Sequence, residues 1–196
     1  MDKKRCGWVG EDQIYLDYHD YVWGRPVYDC QELFAKLCLD GQQAGLSWIT
    51  ILKKQKTYEA AYANFDPEVI AKFDDAKVED LLQDKGIVRN RLKVNSIIKN
   101  ARAYMANFSD TKGDNFSAFL WSFVGGSPIV NHFNTMEEIP VQTPESEAMS
   151  KALKKMGFNF VGPTICYAFM QAVGMFNDHA TYCFCYDKCN KEGSSS

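Results

Sequence analysis

The chain has 196 residues, of which 46% are hydrophobic and 24% charged, with a formal net charge of −3. That composition suits one domain with a sizeable core and excludes a disordered chain. No apolar run approaches the ~18–20 residues of a membrane span, and no global positive field exists to hold a nucleic acid, which would need local basic patches and backbone donors.

The first thirty residues read as an aromatic, loop-like segment carrying Trp8, Tyr15, Tyr18, Tyr21 and Trp23, then Gly24-Arg25-Pro26. A helical rhythm starts at Leu33 and is expected to break near Asp40-Gly41, with a longer helix from about Gln42 to Ala63. Asp66-Pro67 starts a new element with proline at a first helical position. Val78, Leu81 and Leu82 suit a short amphipathic helix. Val94, Ile97, Ala101, Tyr104 and Phe108 make the clearest helix of the chain. Phe116 to Phe123 forms another, closed by Gly125-Gly126. Residues 126–143 read as irregular. Met149, Leu153 and Met156 mark a helix ending at Gly157, and Ile165, Phe169 and Val173 mark one ending near Gly174. Strand signals are almost absent, so the expectation is one all-α domain over residues 1–190, with 191–196 a disordered polar tail. The N-terminal segment is expected to pack with the C-terminal one.

Met1 to Cys6 is not followed by an apolar stretch, so no secretory signal is expected. Seven cysteines, an odd number, argue against a disulfide framework and for a reduced, cytoplasmic protein. His179 and Cys183 are four apart; Cys6 and His19 lie near the other end. Together they make a Cys2His2 set, which suits four-coordinate structural zinc clasping the two ends of the chain. Cys185 and Cys189 are rival ligands, and buried cysteines acting as small hydrophobes are the plainer alternative.

Lys154 to Thr164 joins two of these helices. A Gly-bounded hairpin from Gly157 to Gly162, ahead of a helix N-terminus, offers backbone N–H groups to a phosphate, with Lys151, Lys154 and Lys155 adding charge. An ordinary helix–helix connection is the plainer alternative. A second basic turn, Arg89-Asn90-Arg91-Leu92-Lys93, reads as a solvated face. Leu39 to Trp48 concentrates a carboxylate, two amides and a tryptophan; by propensity alone, Asp40 caps a helix starting at Gly41 or Gln42.

These segments resemble the bacterial 3-methyladenine DNA glycosylase I family almost end to end. The resemblance rests on Arg5-Cys6-Gly7-Trp8, Gly41 to Thr50, Asn100-Ala101-Arg102-Ala103-Tyr104, Trp121 to Val124, Lys151 to Lys155 and Phe160 to Tyr167. It implies a helix-hairpin-helix glycosylase fold, all-α in two lobes with the pocket between them. It implies zinc on Cys6, His19, His179 and Cys183, and a base pocket of Tyr15, Tyr18, Trp23 and Trp48. Leu46 would fill the gap left by an extruded base. The hairpin contacts to DNA fall on Gly157, Phe160, Gly162 and Thr164. The family usually has Glu at the catalytic position held here by Asp40, which keeps the carboxylate one methylene shorter. Asp178 falls where many superfamily members keep an essential Asp.

The implied reaction is hydrolysis of the N-glycosidic bond of 3-methyladenine in double-stranded alkylated DNA, by a monomer, without a Schiff base. Two rivals stand beside it. A zinc hydrolase or deaminase is one, but the chain lacks the motifs of either. The other is a lesion-binding protein that releases no base.

Overall fold

The computed structural model describes residues 3–108 and 114–193. Eleven α-helices account for most of them. Helix α1 spans Gln13–Tyr21 and starts on the Asp12 cap. Helix α2, Cys30–Gln42, is capped by Asp29, whose carboxylate accepts from the Glu32 N–H. Asp and Asn caps of this kind are worth about 1 kcal/mol each. Short helices α3 (Trp48–Leu52) and α4 (Gln55–Ala61) follow. Then come α5 (Pro67–Ala71), α6 (Asp75–Gln83) and the long α7 (Arg91–Phe108). Helix α8 covers Asp114–Trp121. Helix α9, Pro144–Lys155, opens on a reciprocal capping box between Thr143 and Ser146. Helices α10 (Pro163–Ala172) and α11 (Tyr186–Gly193) complete the set.

Helix α2 is the shared element. Leu33, Phe34, Leu37 and Cys38 are buried on it, and it packs against α3, α7, α8 and α10. Helices α5 and α6 pack on α7, while α9 packs on α10. Two helical groups thus share one continuous core. Two small satellite clusters sit apart from it. One gathers Cys6, Ala180, Cys183, Cys185 and Cys189; the other gathers Tyr18, Trp23, Leu52 and Ala172. Among the described residues no helix is long and apolar enough to cross a membrane.

The expected break at Asp40-Gly41 is absent. Helix α2 runs through both residues, because Gly41 is where the α9–α10 connection comes closest. A Cβ on Gly41 would lie 3.1 Å from both the Cβ and the carbonyl oxygen of Phe160. The glycine reports close packing rather than a turn. The real turn comes at 43–47, so the long helix expected from Gln42 is instead α3 and α4 with a break between them. Asp40 therefore caps nothing; it projects from the last turn of α2.

The irregular stretch before α9 contains one small surprise. Ile129–Val130 (β1) pairs in parallel with Phe176–Asn177 (β2). Two residues per strand give too short an alternation to read in a sequence. At the chain ends the packing is as expected. The Gly24 N–H donates to Ala172 O at 3.2 Å, the Val27 N–H to Val173 O at 3.1 Å, and the Phe184 N–H to Lys4 O at 3.0 Å. Helix α11 continues to Gly193 and so takes in the first three residues of the expected tail; residues 194–196 lie outside the described ones.

Candidate functional site

Two constructions meet beside α1. The first is a nest of possible ligands. Cys6 lies in the N-terminal loop, His19 in α1, and His179 and Cys183 in the loop after β2. All four are buried, and their ligand atoms lie within 4.8 Å of one another. Cys6 Sγ is 3.5 Å from His179 Nδ1, Cys183 Sγ is 3.4 Å from His19 Nε2, and Cys183 Sγ is 3.7 Å from His179 Nδ1. A tetrahedral ion with ordinary zinc–sulfur and zinc–nitrogen bonds would set sulfur and nitrogen about 3.6 Å apart.

The far side of each ring is also occupied. His19 Nδ1 is 2.8 Å from Asp20 Oδ1, and His179 Nε2 is 3.3 Å from the Trp23 carbonyl. Those contacts leave the inward nitrogens free to ligate and fix the tautomers, as the surroundings of a metal usually do. Asp20 is itself gripped by Arg5 through two 2.8 Å bonds, which hold its carboxyl below the usual range. The Cys185 and Cys6 thiols, with the His179 and His19 rings, face the Cys183 sulfur and favour its thiolate. The residues present fit a closed, four-coordinate metal centre. Cys185 lies against the Cys183 sulfur and the His19 and Asp20 carbonyls, but its sulfur is not one of the four mutually close ligand atoms.

The second construction is a cavity of about 220 Å³. Trp8, Tyr15, Tyr18, Trp23 and Trp48 form its aromatic walls, and Asp40, Gln43 and Gln171 bring polar groups. Its rings interlock: Trp8 meets Tyr15 at 5.2 Å and Trp23 at 5.1 Å between centroids, and Tyr18 meets Trp48 at 5.5 Å. Asp40 is 4% exposed. Its Oδ2 has no hydrogen-bond partner. Burial pushes the Asp40 carboxyl up to about 7, against the pull of the Lys36 charge one turn earlier on α2. An orphaned buried carboxylate costs stability, so such a group in an aromatic box suits a cationic guest with hydrogen-bond donors.

A second cleft, about 230 Å³, shares Asp40, Gln43 and Ala168 with the first and opens beside Leu46, Thr164 and Ile165. Leu46 stands 39% exposed at this mouth. Lys93, itself buried, donates 2.6 Å bonds to the Gln42 and Ala44 carbonyls and so braces the turn that presents Leu46.

Comparison with known proteins agrees with this arrangement. The sequence pattern of the family described as methyladenine glycosylase matches residues 8–186. A DNA-3-methyladenine glycosylase of Haemophilus influenzae is 52% identical over 181 residues, 92% of this chain and 97% of that one. A crystal structure of 3-methyladenine DNA glycosylase I superposes with a TM-score of 0.91 at 51% identity, covering 93% of this chain and all of the other. A substituted 3-methyladenine DNA glycosylase I in complex with 3-methyladenine gives 0.88 at 36% identity, over 93% and 97%. The chain belongs to the methyladenine glycosylase family.

In this glycosylase the α9–α10 connection is a tight hairpin. Gly157 adopts φ +95° and Phe160 φ +54°. Asn100 on α7 clamps it from behind: its Oδ1 accepts from the Asn159 N–H at 2.7 Å and its Nδ2 donates to Asn159 O at 3.2 Å. Ser150 on α9 donates to Val161 O at 2.6 Å. These contacts explain why the Asn100 segment carries part of the resemblance. Thr164 is exposed at the α10 N-terminus. Gly162, at the other end of the hairpin, is uncrowded. Its φ is −63°, and a Cβ there would meet nothing within 4 Å.

The structure brings Tyr15, Tyr18, Trp23, Trp48 and Asp40 to one cavity, with Leu46 on the adjoining cleft. The predicted base pocket left out Trp8, Gln43, Gln171, Met136 and Ile139. Trp8 stood in the aromatic N-terminal segment and Gln43 was one of the two amides between Leu39 and Trp48; Met136, Ile139 and Gln171 lie in segments with no motif. Asp178 is buried and bound to protein donors, and it does not line the cavity.

Proposed function

We propose that the Asp40 cavity receives an extruded 3-methyladenine nucleotide and that this chain hydrolyses its N-glycosidic bond, freeing the base and leaving an abasic site. One observation carries the assignment of the site: the buried Asp40 Oδ2, without a partner, inside a box of five aromatic rings. Methylation at N3 makes the base cationic, so it departs neutral and needs little acid catalysis. Extrusion costs a few kcal/mol, least for a poorly stacked lesion. The electron-rich faces of Tyr15, Tyr18, Trp23 and Trp48 then favour the cation by ~1–2 kcal/mol over neutral adenine. The Asp40 carboxylate accepts from the amino edge of the base and stabilises the positive charge that moves to the sugar. Water completes the reaction.

The double-stranded substrate is held mainly by backbone. The hairpin Gly157 to Gly162 and the α10 N-terminus at Thr164 offer N–H groups to a phosphate, Phe160 shapes the hairpin, and Leu46 fills the vacated stack. The openness around Gly162 supports close approach of a DNA backbone from outside. Zinc is the metal that the Cys6, His19, His179 and Cys183 donor set favours. With four protein ligands it would close the fold and take no part in the chemistry. The protein acts as a monomer, as a single glycosylase domain over residues 1–190. Its seven cysteines, an odd number and six of them buried, support a cytoplasmic setting.

The test is free 3-methyladenine release from methylated duplex DNA, with Asp40→Asn as the comparison. Release by the wild type and its loss in the variant, at equal metal content, is expected. Binding of methylated DNA without release by the wild type would convert the protein into a lesion-binding one.

A further inference from the structure

The cavity holds a third polar side chain whose orientation is fixed from behind. Gln171, on the last turn of α10, lines it. The Gln171 Nε2 donates to Asp178 Oδ2 at 2.7 Å. Asp178 is 1% exposed. Its Oδ1 accepts from Asn131 Nδ2 at 2.7 Å, and its Oδ2 also accepts from the Tyr167 hydroxyl. Asn131 is in turn held by the β1–β2 pairing, its N–H donating to Asn177 O at 3.1 Å.

Three donors converge on a group that accepts only. The Gln171 amide therefore has one stable orientation, nitrogen toward Asp178. Among the described residues no donor reaches its Oε1, and that oxygen is not one of the sealed, unsatisfied atoms of the interior. With the nitrogen held at the protein side, the carbonyl oxygen is left for the cavity. Asp40 supplies one acceptor there, and Gln171 supplies a second.

We propose that Gln171 is a specificity-determining residue, an acceptor for the exocyclic amine of the alkylated adenine, and that Asp178 is its positioning residue. A pocket with two acceptors welcomes an amino group and repels the carbonyl oxygen that guanine carries at the same ring position. The β1–β2 pair acquires a purpose in this reading. It brings Asn131 to the remaining oxygen of Asp178, so the carboxylate cannot swing away from Gln171. The inference rests on the cavity being the base pocket.

The decisive readout is the ratio of 3-methyladenine to 3-methylguanine release, measured on one preparation. This ratio does not depend on how much of the protein is folded or metal-loaded. Gln171→Met keeps the length and removes the acceptor; the ratio is expected to fall by about tenfold or more. Asp178→Ala frees the amide to turn, and the same narrowing is expected. In the double variant the second substitution adds nothing to the ratio. An unchanged ratio in Gln171→Met overturns the proposal, as does a narrowing by Asp178→Ala that persists undiminished when Gln171 is already Met. Should Asp178→Ala not fold, Gln171→Met decides alone. Tryptophan quenching by free 3-methyladenine separates the two levels, since three of the four tryptophans line the cavity. No quenching in the wild type would sink the pocket itself. Quenching with an unchanged ratio would sink only the role of Gln171.

Discussion

The metal nest and the aromatic cavity are neighbours with opposite accounting of their polar atoms. Trp23 touches both, its ring 4.7 Å from that of His179 and 5.1 Å from that of Trp8. In the nest each ligand faces its three companions, and both imidazoles hold a second partner behind. In the cavity Asp40 Oδ2 holds none. A site that serves the fold satisfies itself; a site that awaits a guest keeps atoms unsatisfied until the guest arrives. Breaking the first should therefore cost stability, and breaking the second should cost function while relieving stability.

The largest effect belongs to the nest. Cys183→Ser removes one ligand and leaves three buried donors without their centre. Metal binding in such sites is folding free energy, and a loss of about 4 kcal/mol would lower the melting temperature by about 10 °C at this chain length. Cys189→Ser, outside the four, should lower it much less. Elemental analysis of protein purified without chelator should find one zinc per chain, and finding none would defeat the metal assignment.

Asp40→Asn should do the reverse. Release of 3-methyladenine is expected to fall by about a hundredfold, the scale of losing one charge-stabilising group. Stability should move the other way. Burial raises the Asp40 carboxyl from its ordinary 3.8 to about 7. Between those values the folded chain holds a proton that the unfolded chain has released, so wild-type stability falls as pH rises through that window and levels off above it. The variant lacks this slope. The variant's stability relative to wild type should improve by up to about 4 kcal/mol from pH 4 to pH 8. Parallel melting curves for the two proteins across that range would show that the carboxyl is not buried as described. Asp40→Glu restores the usual family side chain in a cavity with room, and is expected to keep release at or above the wild-type rate.

The sequence was readable where one period or one spacing carried the information. Helices α7, α9 and α10 follow from apolar residues at steps of three and four, and the Cys/His cluster from two Cys/His pairs, with Cys185 and Cys189 left as rivals. Gly41 misled because a glycine chosen for contact with Phe160 looks the same as one chosen for a turn. The cavity was legible through the resemblance and not through residue pattern. Its walls come from five separate segments, and no single spacing joins them. Asp40 was read by local propensity as a cap because nothing in the local sequence says that it is buried.

A smaller effect is expected at the hairpin, which the fold satisfies on its inner side and leaves open on its outer one. Asn100→Ala removes two bonds to Asn159 and should cost about 1–3 kcal/mol of stability, with affinity for abasic-site duplex falling several-fold at fixed salt. Gly162→Asp should leave the melting temperature nearly unchanged, since a Cβ meets nothing there, yet weaken DNA binding strongly by setting a carboxylate beside a phosphate. An unchanged dissociation constant would remove the hairpin as the main anchor. Tryptophan quenching by free 3-methyladenine should survive both substitutions.

Leu46 gives the gentlest and most selective cut, because its side chain belongs to neither region until DNA arrives. It is 39% exposed, so Leu46→Ala should change stability by no more than about 0.5 kcal/mol. The turn that carries it stays braced by Lys93, whose bonds go to backbone carbonyls and ignore the substitution. Metal content and quenching by the free base should be those of the wild type. What changes is the cost of holding the duplex open. A leucine that fills the vacated stack shields apolar surface otherwise left to water, worth about 1–2 kcal/mol at ~25 cal/mol per Å². Single-turnover release from duplex DNA should then slow by about five- to thirtyfold. Release of the same lesion from single-stranded DNA, which has no partner strand to keep apart, should slow much less. Equal slowing on both substrates would place Leu46 in the general binding surface and not in the stack.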